Sequence, residues 1–205
     1  MLYYLDLLGT LVFAISGALR ASKHNLDILG VLVLSVVTGV SGGIIRDMII
    51  GDNLPAAFRN EWYLMICVIG GILVFIATPK IAKSWNVVRY FDAVGLGVFA
   101  AIGATKALQY GAGPIGVIML SAITATGGGM LRDVLVREIP AVLHRDFYAT
   151  AAMLGAVVLL ILNYFECSQF VQIFSTIAVT TGIRFTAMYF QVQLPIAKRA
   201  ETELD

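Results

Sequence analysis

Shifted by 86 positions, the chain lies upon itself, and this internal copy limits its possible folds more than any other feature. Asp6 falls on Asp92, Gly9 on Gly95, Phe13-Ala14 on Phe99-Ala100, and Gly17-Ala18 on Gly103-Ala104. Farther along, Gly30-Val31 meets Gly116-Val117 and Thr38 meets Thr124. Gly42-Gly43-Ile-Ile-Arg46-Asp47 then meets Gly128-Gly129-Met-Leu-Arg132-Asp133. After a one-residue deletion, Pro55-Ala56 lies on Pro140-Ala141, Glu61-Trp62-Tyr63 on Asp146-Phe147-Tyr148, and Gly70 on Gly155. Chance agreement between apolar stretches would not align Asp, Arg, Pro and Gly at one nearly constant offset. The sequence reads as a duplication.

What is duplicated is apolar. Hydrophobic residues make up 59% of the 205 and charged ones 13%, against about 45–50% and about 25% in soluble domains. Seven apolar runs stand out, roughly 3–19, 26–45, 62–78, 91–108, 114–131, 147–164 and 170–190. At about 20 residues per membrane-spanning helix they consume about 140 residues, leaving short connectors and no room for a soluble catalytic domain. The expected fold is therefore an all-α integral membrane protein with seven transmembrane helices in a single membrane domain, 1–205. Repeat one spans 3–79, repeat two 90–165, and an unpaired seventh helix 168–192. Met1–Asp6 has no basic segment, so the first run is expected to be a retained helix rather than a signal peptide. The net charge of +1 argues against a nucleic-acid surface. Cys67 and Cys167 form no metal-ligand cluster and read as packed thiols, so neither cofactor nor metal is expected.

Three spans per copy is an odd number, so the second copy must enter the membrane the opposite way up, as inverted repeats do. Lys and Arg residues set the orientation. With the N-terminus on one face, the other receives Arg20, Lys23, Lys80, Lys83, Arg89, Arg132, Arg137, Arg145, Lys198 and Arg199. Only Arg46, Arg59 and Lys106 fall on the N-terminal face. The expected N-terminus is outside and the C-terminus cytoplasmic, in the inner (plasma) membrane of a prokaryote.

The second and fifth runs carry glycine clusters, Thr38-Gly-Val-Ser41-Gly42-Gly43 and Thr124-Ala-Thr126-Gly127-Gly128-Gly129. Glycine costs about 1 kcal/mol relative to alanine inside a helix and commonly marks kinks. A kink frees backbone carbonyls, which a membrane tolerates only against protein or a water-filled cavity. Beside Thr and Ser hydroxyls, such carbonyls can coordinate a dehydrated cation, or a half-helix N-terminus can face a carboxylate. The other reading is close helix packing alone, the role also expected of Ala14/Ala18 and Ala100/Ala104.

One turn beyond each cluster stand Arg46-Asp47 and Arg132-Asp133, expected near the outer and inner mouths. Either Asp47 and Asp133 draw cations while the arginines tune the field, or the pairs lock loops and cap helices. On the first reading, neutralising Asp133 lowers cation flux in a protein that still folds. Asp6 and Asp92 are expected to favour a helix dipole; Lys106 and Arg184 join the candidate charges of the mouths and gate, the alternatives being a solvated anchor for Lys106 and, for Arg184, snorkelling rather than facing the bundle. His24 and His144 are given no specific role, and Trp62, Tyr63, Phe147 and Tyr148 an interfacial one. Gly95-Leu-Gly97-Val-Phe-Ala100 matches a dinucleotide-binding pattern but lacks the preceding strand and the following acid. No motif of an enzyme is found.

Two three-helix copies, Gly-Gly-x-x-Arg-Asp in each and a lone last helix together resemble the trimeric intracellular cation (TRIC) channel family. The likeness is to its prokaryotic branch, also described as a glycine-transporter domain. It covers residues 3–195 and is most specific in Gly127-Gly-Gly-Met-Leu-Arg-Asp-Val-Leu-Val-Arg-Glu-Ile-Pro140. The resemblance implies a homotrimer in membrane lipid, each protomer conducting monovalent cations, chiefly K+ with some Na+. It implies a pore at Ser41-Gly42-Gly43 and Gly127-Gly128-Gly129. Ser41 stands where the other copy has Gly127, so an asymmetric pore is expected. A secondary transporter of glycine or another small amino acid is the rival, and a structural scaffold the third reading.

Overall fold

The structure, a computed structural model, describes residues 1–51, 54–81, 85–144 and 147–192 (backbone alone at 78–81, 85–86 and 144). Lys80, Lys83, His144, Arg145, Asp146, Lys198, Arg199 and the 201–205 tail, part of the expected charge pattern, lie outside the described side chains. Among the described residues the secondary structure is wholly helical. The elements are α1 (Leu2–Lys23), α2 (Ile28–Ile49), α3 (Ala56–Arg59), α4 (Trp62–Ile81) and α5 (Trp85–Gln109). They continue with α6 (Pro114–Leu135), α7 (Ala141–His144), α8 (Ala149–Tyr164) and α9 (Gln169–Phe190). Each expected apolar run thus falls on one long helix, although the runs 26–45 and 147–164 begin two residues before α2 and α8.

Five helices are long and apolar enough to cross a membrane: α1, α2, α6, α9 and the Val87–Gln109 part of α5. The apolar stretches of α4 and α8, Trp62–Ala77 and Ala149–Tyr164, are shorter. Local chemistry sets the starts. Asp27 caps α2 by accepting from the Gly30 N–H at 2.7 Å, and Pro114 opens α6, where its missing N–H costs nothing. Large apolar side chains such as Leu29, Leu73, Ile76 and Ile115 remain exposed on the outer faces, as a lipid-solvated surface requires.

α1, α2 and α4 pack together, as do α5, α6 and α8, with short α3 against α2 and α7 against α6. The halves meet where α1 crosses α5 and α2 crosses α6, and α9 packs on α5 and α8. Contacts recur at the sequence offset. Ser35 Oγ reaches the Ala14 and Cys67 carbonyls at 3.1 and 2.8 Å. Its counterpart Ser121 reaches those of Ala100 and Ala152 at 2.9 and 3.3 Å. Between the halves, the Phe13 and Phe99 rings lie 5.2 Å apart. Gly95 makes room for the Phe13 ring, and Gly9 for Val98 and Phe99. The nucleotide-like glycine motif is therefore packing: Gly97, its second glycine, accommodates Thr181 of α9.

The two thiols differ in access. Cys67 is fully buried among Ala14, Val40 and Tyr63, whereas Cys167 is half-buried in the α8–α9 connection. A soluble maleimide is expected to label one thiol per folded chain and two after denaturation in SDS. Two labels on the folded chain, read by mass spectrometry, would contradict this packing.

Candidate functional site: a glycine crossing between two buried ion-pair clusters

Both glycine clusters sit at the crossing of α2 and α6. An added Cβ on Gly42 would collide with the Thr124 carbonyl, and one on Gly128 with the Thr38 carbonyl. A Cβ on Gly127 would stand 3.3 Å from the Gly42 Cα. Backbone thus meets backbone, through contacts of the Cα–H to carbonyl kind. The helical run is unbroken through both clusters. Gly43 meets only Arg46 within its own helix, and Gly129 lies beside Tyr148.

The nearby hydroxyls bond back along their helices. Thr38 donates to the Leu34 carbonyl and Ser41 to that of Val37, both at 2.6 Å. Thr124 donates to Leu120 at 2.6 Å and Thr126 to Ala122 at 2.8 Å. This pattern tends to bend helices. It spends each hydroxyl hydrogen and leaves oxygen lone pairs able to accept a bond or a cation.

The Arg-Asp pairs anchor two clusters, and their partners come from the other helices. In cluster one, Arg46 grips Asp6 two-pronged, Nη1 to Oδ1 at 3.3 Å and Nη2 to Oδ2 at 3.1 Å, while its Nε holds Asp47 at 2.8 Å. Tyr63 donates to Asp6 at 3.2 Å. Asp47 also accepts from Lys106 Nζ at 3.0 Å and the Ala56 N–H at 2.9 Å. A cavity of about 10 Å³, lined by Asp6, Thr10, Gly43, Arg46, Asp47 and Tyr63 among others, has room for about one water.

Cluster two repeats the plan. Arg132 Nη1 holds Asp92 at 2.6 Å and Ser16 at 2.7 Å, and its Nε holds Asp133 at 2.9 Å. Asp133 also accepts from Arg20 Nη2 at 3.3 Å and the Ala141 N–H at 3.0 Å. Arg20 extends to Glu138 at 2.7 Å, and Glu138 to His24 at 2.8 Å. Arg184 lies over the Tyr148 ring, 4.9 Å from its centroid. Asp6 and Arg20 mark opposite ends of α1, so the clusters stand roughly 20 Å apart along it.

Several expectations change. Asp6 and Asp92 are not dipole partners in a first turn; each is buried in an ion pair with the arginine 40 positions on. Lys106 is no solvated anchor, being 20% exposed and bound to Asp47. Arg184 faces the bundle, 3% exposed, rather than snorkelling. Tyr63 and Tyr148 leave the interfacial belt for the clusters, being 5% and 2% exposed, while Trp62 stays exposed. His24 has a partner after all. Arg20, Ser16 and Glu138 were missed, although Arg20 lies 86 positions before Lys106, a basic match at the offset.

The fold and site define a helical, multi-pass membrane protein whose two halves share one buried charge pattern. A family profile described as "Glycine transporter" matches the chain twice, over residues 3–79 and 89–164. The UPF0126 inner membrane protein YadS of Escherichia coli K12 is 39% identical over 198 residues, covering 95% of each chain. A UPF0126 membrane protein of Deinococcus radiodurans is 42% identical over 157 residues, 76% of this chain and 73% of that one. A solved TRIC trimeric intracellular cation channel orthologue from Rhodobacter sphaeroides aligns with a TM-score of 0.89 at 35% identity. That match covers 93% of this chain and 98% of the other. The chain belongs to this family, as a member of the prokaryotic branch of the TRIC channels.

Proposed function

We propose that the protein is a passive channel for monovalent cations, K+ chiefly and Na+ less, in the inner membrane of a prokaryote. The likeness to the solved TRIC channel orthologue, over almost the whole of both chains, carries this reading. On it, seven helices span the bilayer as two inverted repeats, 3–79 and 90–165, with the seventh helix at 168–192. The N-terminus is outside and the C-terminus cytoplasmic, and three copies assemble, each with its own route. The route runs between α2 and α6 at Ser41-Gly42-Gly43 and Gly127-Gly128-Gly129. Oxygen lone pairs of Thr38, Ser41, Thr124 and Thr126 are suited to a partly dehydrated cation there. Because Gly42 and Gly128 touch backbone in this structure, conduction requires the two helices to part at the crossing. Arg46, Asp47 and Lys106 hold one mouth, and Arg132, Asp133 and Arg184 the other.

The rival is a carrier of glycine or a similar zwitterion, favoured by the description of the matching family profile. Single-channel recording of the purified protein in planar bilayers separates them. Unitary K+ currents of picoampere size are expected. Glycine counterflow in vesicles without any unitary current would replace the channel with the carrier.

A further inference from the structure

The two clusters are copies in their core ion pairs but differ at their edges. Arg20 and Lys106 stand at matched positions, and each bonds the buried aspartate of the other half: Arg20 to Asp133, Lys106 to Asp47. Among the described residues, cluster one sets two carboxylates, Asp6 and Asp47, against two cations, Arg46 and Lys106. Cluster two continues through Arg20 to Glu138 and His24. Without His24, the ion pairs among the described residues join three carboxylates (Asp92, Asp133, Glu138) to two guanidiniums (Arg132, Arg20). At the offset of 86, His24 aligns with Tyr110 and Glu138 with Asp52. Tyr110 does not ionise near neutral pH, so the cluster-two copy alone carries an imidazole at this place.

We propose that His24 and Glu138 form a proton-operated latch at the cluster-two end, which tightens on acidification and holds the cation route shut. His24 caps the end of α1 in the turn before α2. Glu138 lies in the α6–α7 connector, where the Arg137 backbone turns left-handed at φ 59° and the Glu138 N–H donates to the Asp133 carbonyl at 2.9 Å. The pair therefore ties the entry to α2 to the exit from α6, the two helices that must separate at the glycine crossing. Both side chains are about one-third exposed, 32% and 29%, so protons reach them from solution.

Imidazole is the side chain whose ordinary titration falls between pH 5 and 8. Neutral His24 donates one hydrogen bond to the Glu138 carboxylate; once protonated, the ring donates that same bond as a cation to an anion, which shortens and strengthens it. The surrounding groups set the sign. Glu138 faces the ring, Arg20 from α1 holds the other Glu138 oxygen, and Asp133 lies behind Arg20. On its own side, Lys23 precedes His24, and Asp27 is engaged with the Gly30 N–H. Arg137 adjoins Glu138 in sequence, and Arg184 stands over the Tyr148 ring. Because a protonated ring holds the carboxylate 2.8 Å away more tightly than a neutral one, the latch is firmer in acid and looser in base.

The inference rests on the channel reading for its effect on flux, so the test has a second arm. In planar bilayers, acidifying the cluster-two face from about pH 7.5 to about 5.5, across the imidazole range, is expected to lower open probability several-fold. Acidifying the other face leaves it unchanged. His24→Gln, which can hydrogen-bond but not gain charge, and Glu138→Gln both remove the response. The second arm is hydrogen exchange of the connector amides at 136–139, corrected for the intrinsic pH effect. Wild type slows several-fold on acidification, and His24→Gln does not. An acid response that survives in both variants, or that is equal from both faces, overturns the latch, as does connector exchange indifferent to His24. Absence of current in every variant would sink the channel reading alone, leaving exchange to decide the latch.

Discussion

Gly42→Ala and Gly128→Ala are each expected to cost up to about 3 kcal/mol of stability, the upper range for forcing bulk into a packed interior. The reason lies in what the new methyl would meet. At 42 it runs into the Thr124 carbonyl and at 128 into the Thr38 carbonyl. Neither is a side-chain tip that can turn aside, so α2 and α6 must move apart along their whole contact. Gly43→Ala is the built-in control. Its nearest foreign atom is Arg46 Nη2 at 3.5 Å, an ordinary contact, and alanine gains about 1 kcal/mol of helix propensity over glycine. Gly43→Ala is therefore expected to be neutral or stabilising, although it neighbours the most sensitive position of the helix. Unfolding in detergent, followed by circular dichroism, distinguishes the three. Equal loss at 42 and 43 would show that the crossing is looser than these contacts require. On the channel reading, the bulkier variants also change the current, so stability must be measured first.

The same glycines illustrate what a sequence can carry. Their positions at one offset, in both copies, are visible without coordinates, and so is their unsuitability for an ordinary helix. Whether they serve a bend or an approach depends on which helix lies opposite, and no local pattern encodes that. α2 and α6 are separated by two further long helices, and their register follows from packing summed over both halves. The charges behave similarly. Offset pairing flags Asp6 with Asp92 and Arg46 with Arg132, yet not that each aspartate bonds its own copy's arginine. An aspartate near the start of a span has a ready local explanation in the helix dipole, and that explanation hides the distant partner. Lys106 and Arg20 were open to detection as matched basic residues near the ends of α5 and α1. Their crossing to the opposite half required the three-dimensional arrangement. Helix ends also outran the apolar runs: α1 continues to Lys23 and α5 starts at Trp85, because backbone hydrogen bonding does not stop where polar side chains begin.

Arg132→Gln is expected to destabilise the protein by about 3–5 kcal/mol, the usual penalty for stripping one partner from a buried ion pair. Arg132 is 2% exposed and binds both Asp92 and Asp133. Without it, among the described residues, Asp92 loses its paired cation and Asp133 keeps Arg20 at 3.3 Å and the Ala141 N–H. Adding Asp92→Asn should restore part of the loss, because the amide needs no countercharge. The double variant is expected to fall short of the summed single losses by at least about 1 kcal/mol, within the range for directly contacting groups. Asp133→Asn is milder by the same logic, at about 1–3 kcal/mol for an imperfectly satisfied buried group. One of its two oxygens becomes an amide nitrogen facing the Ala141 N–H or the arginines, so reduced flux in that variant must be separated from partial unfolding. Denaturant titration of the four variants in detergent decides the matter. If Arg132→Gln unfolds at the wild-type midpoint, water rather than ion pairing must solvate these carboxylates. The cluster would then be a wet vestibule, the arrangement in which Asp133 attracts cations instead of fastening the end of α6 to α1 and α7.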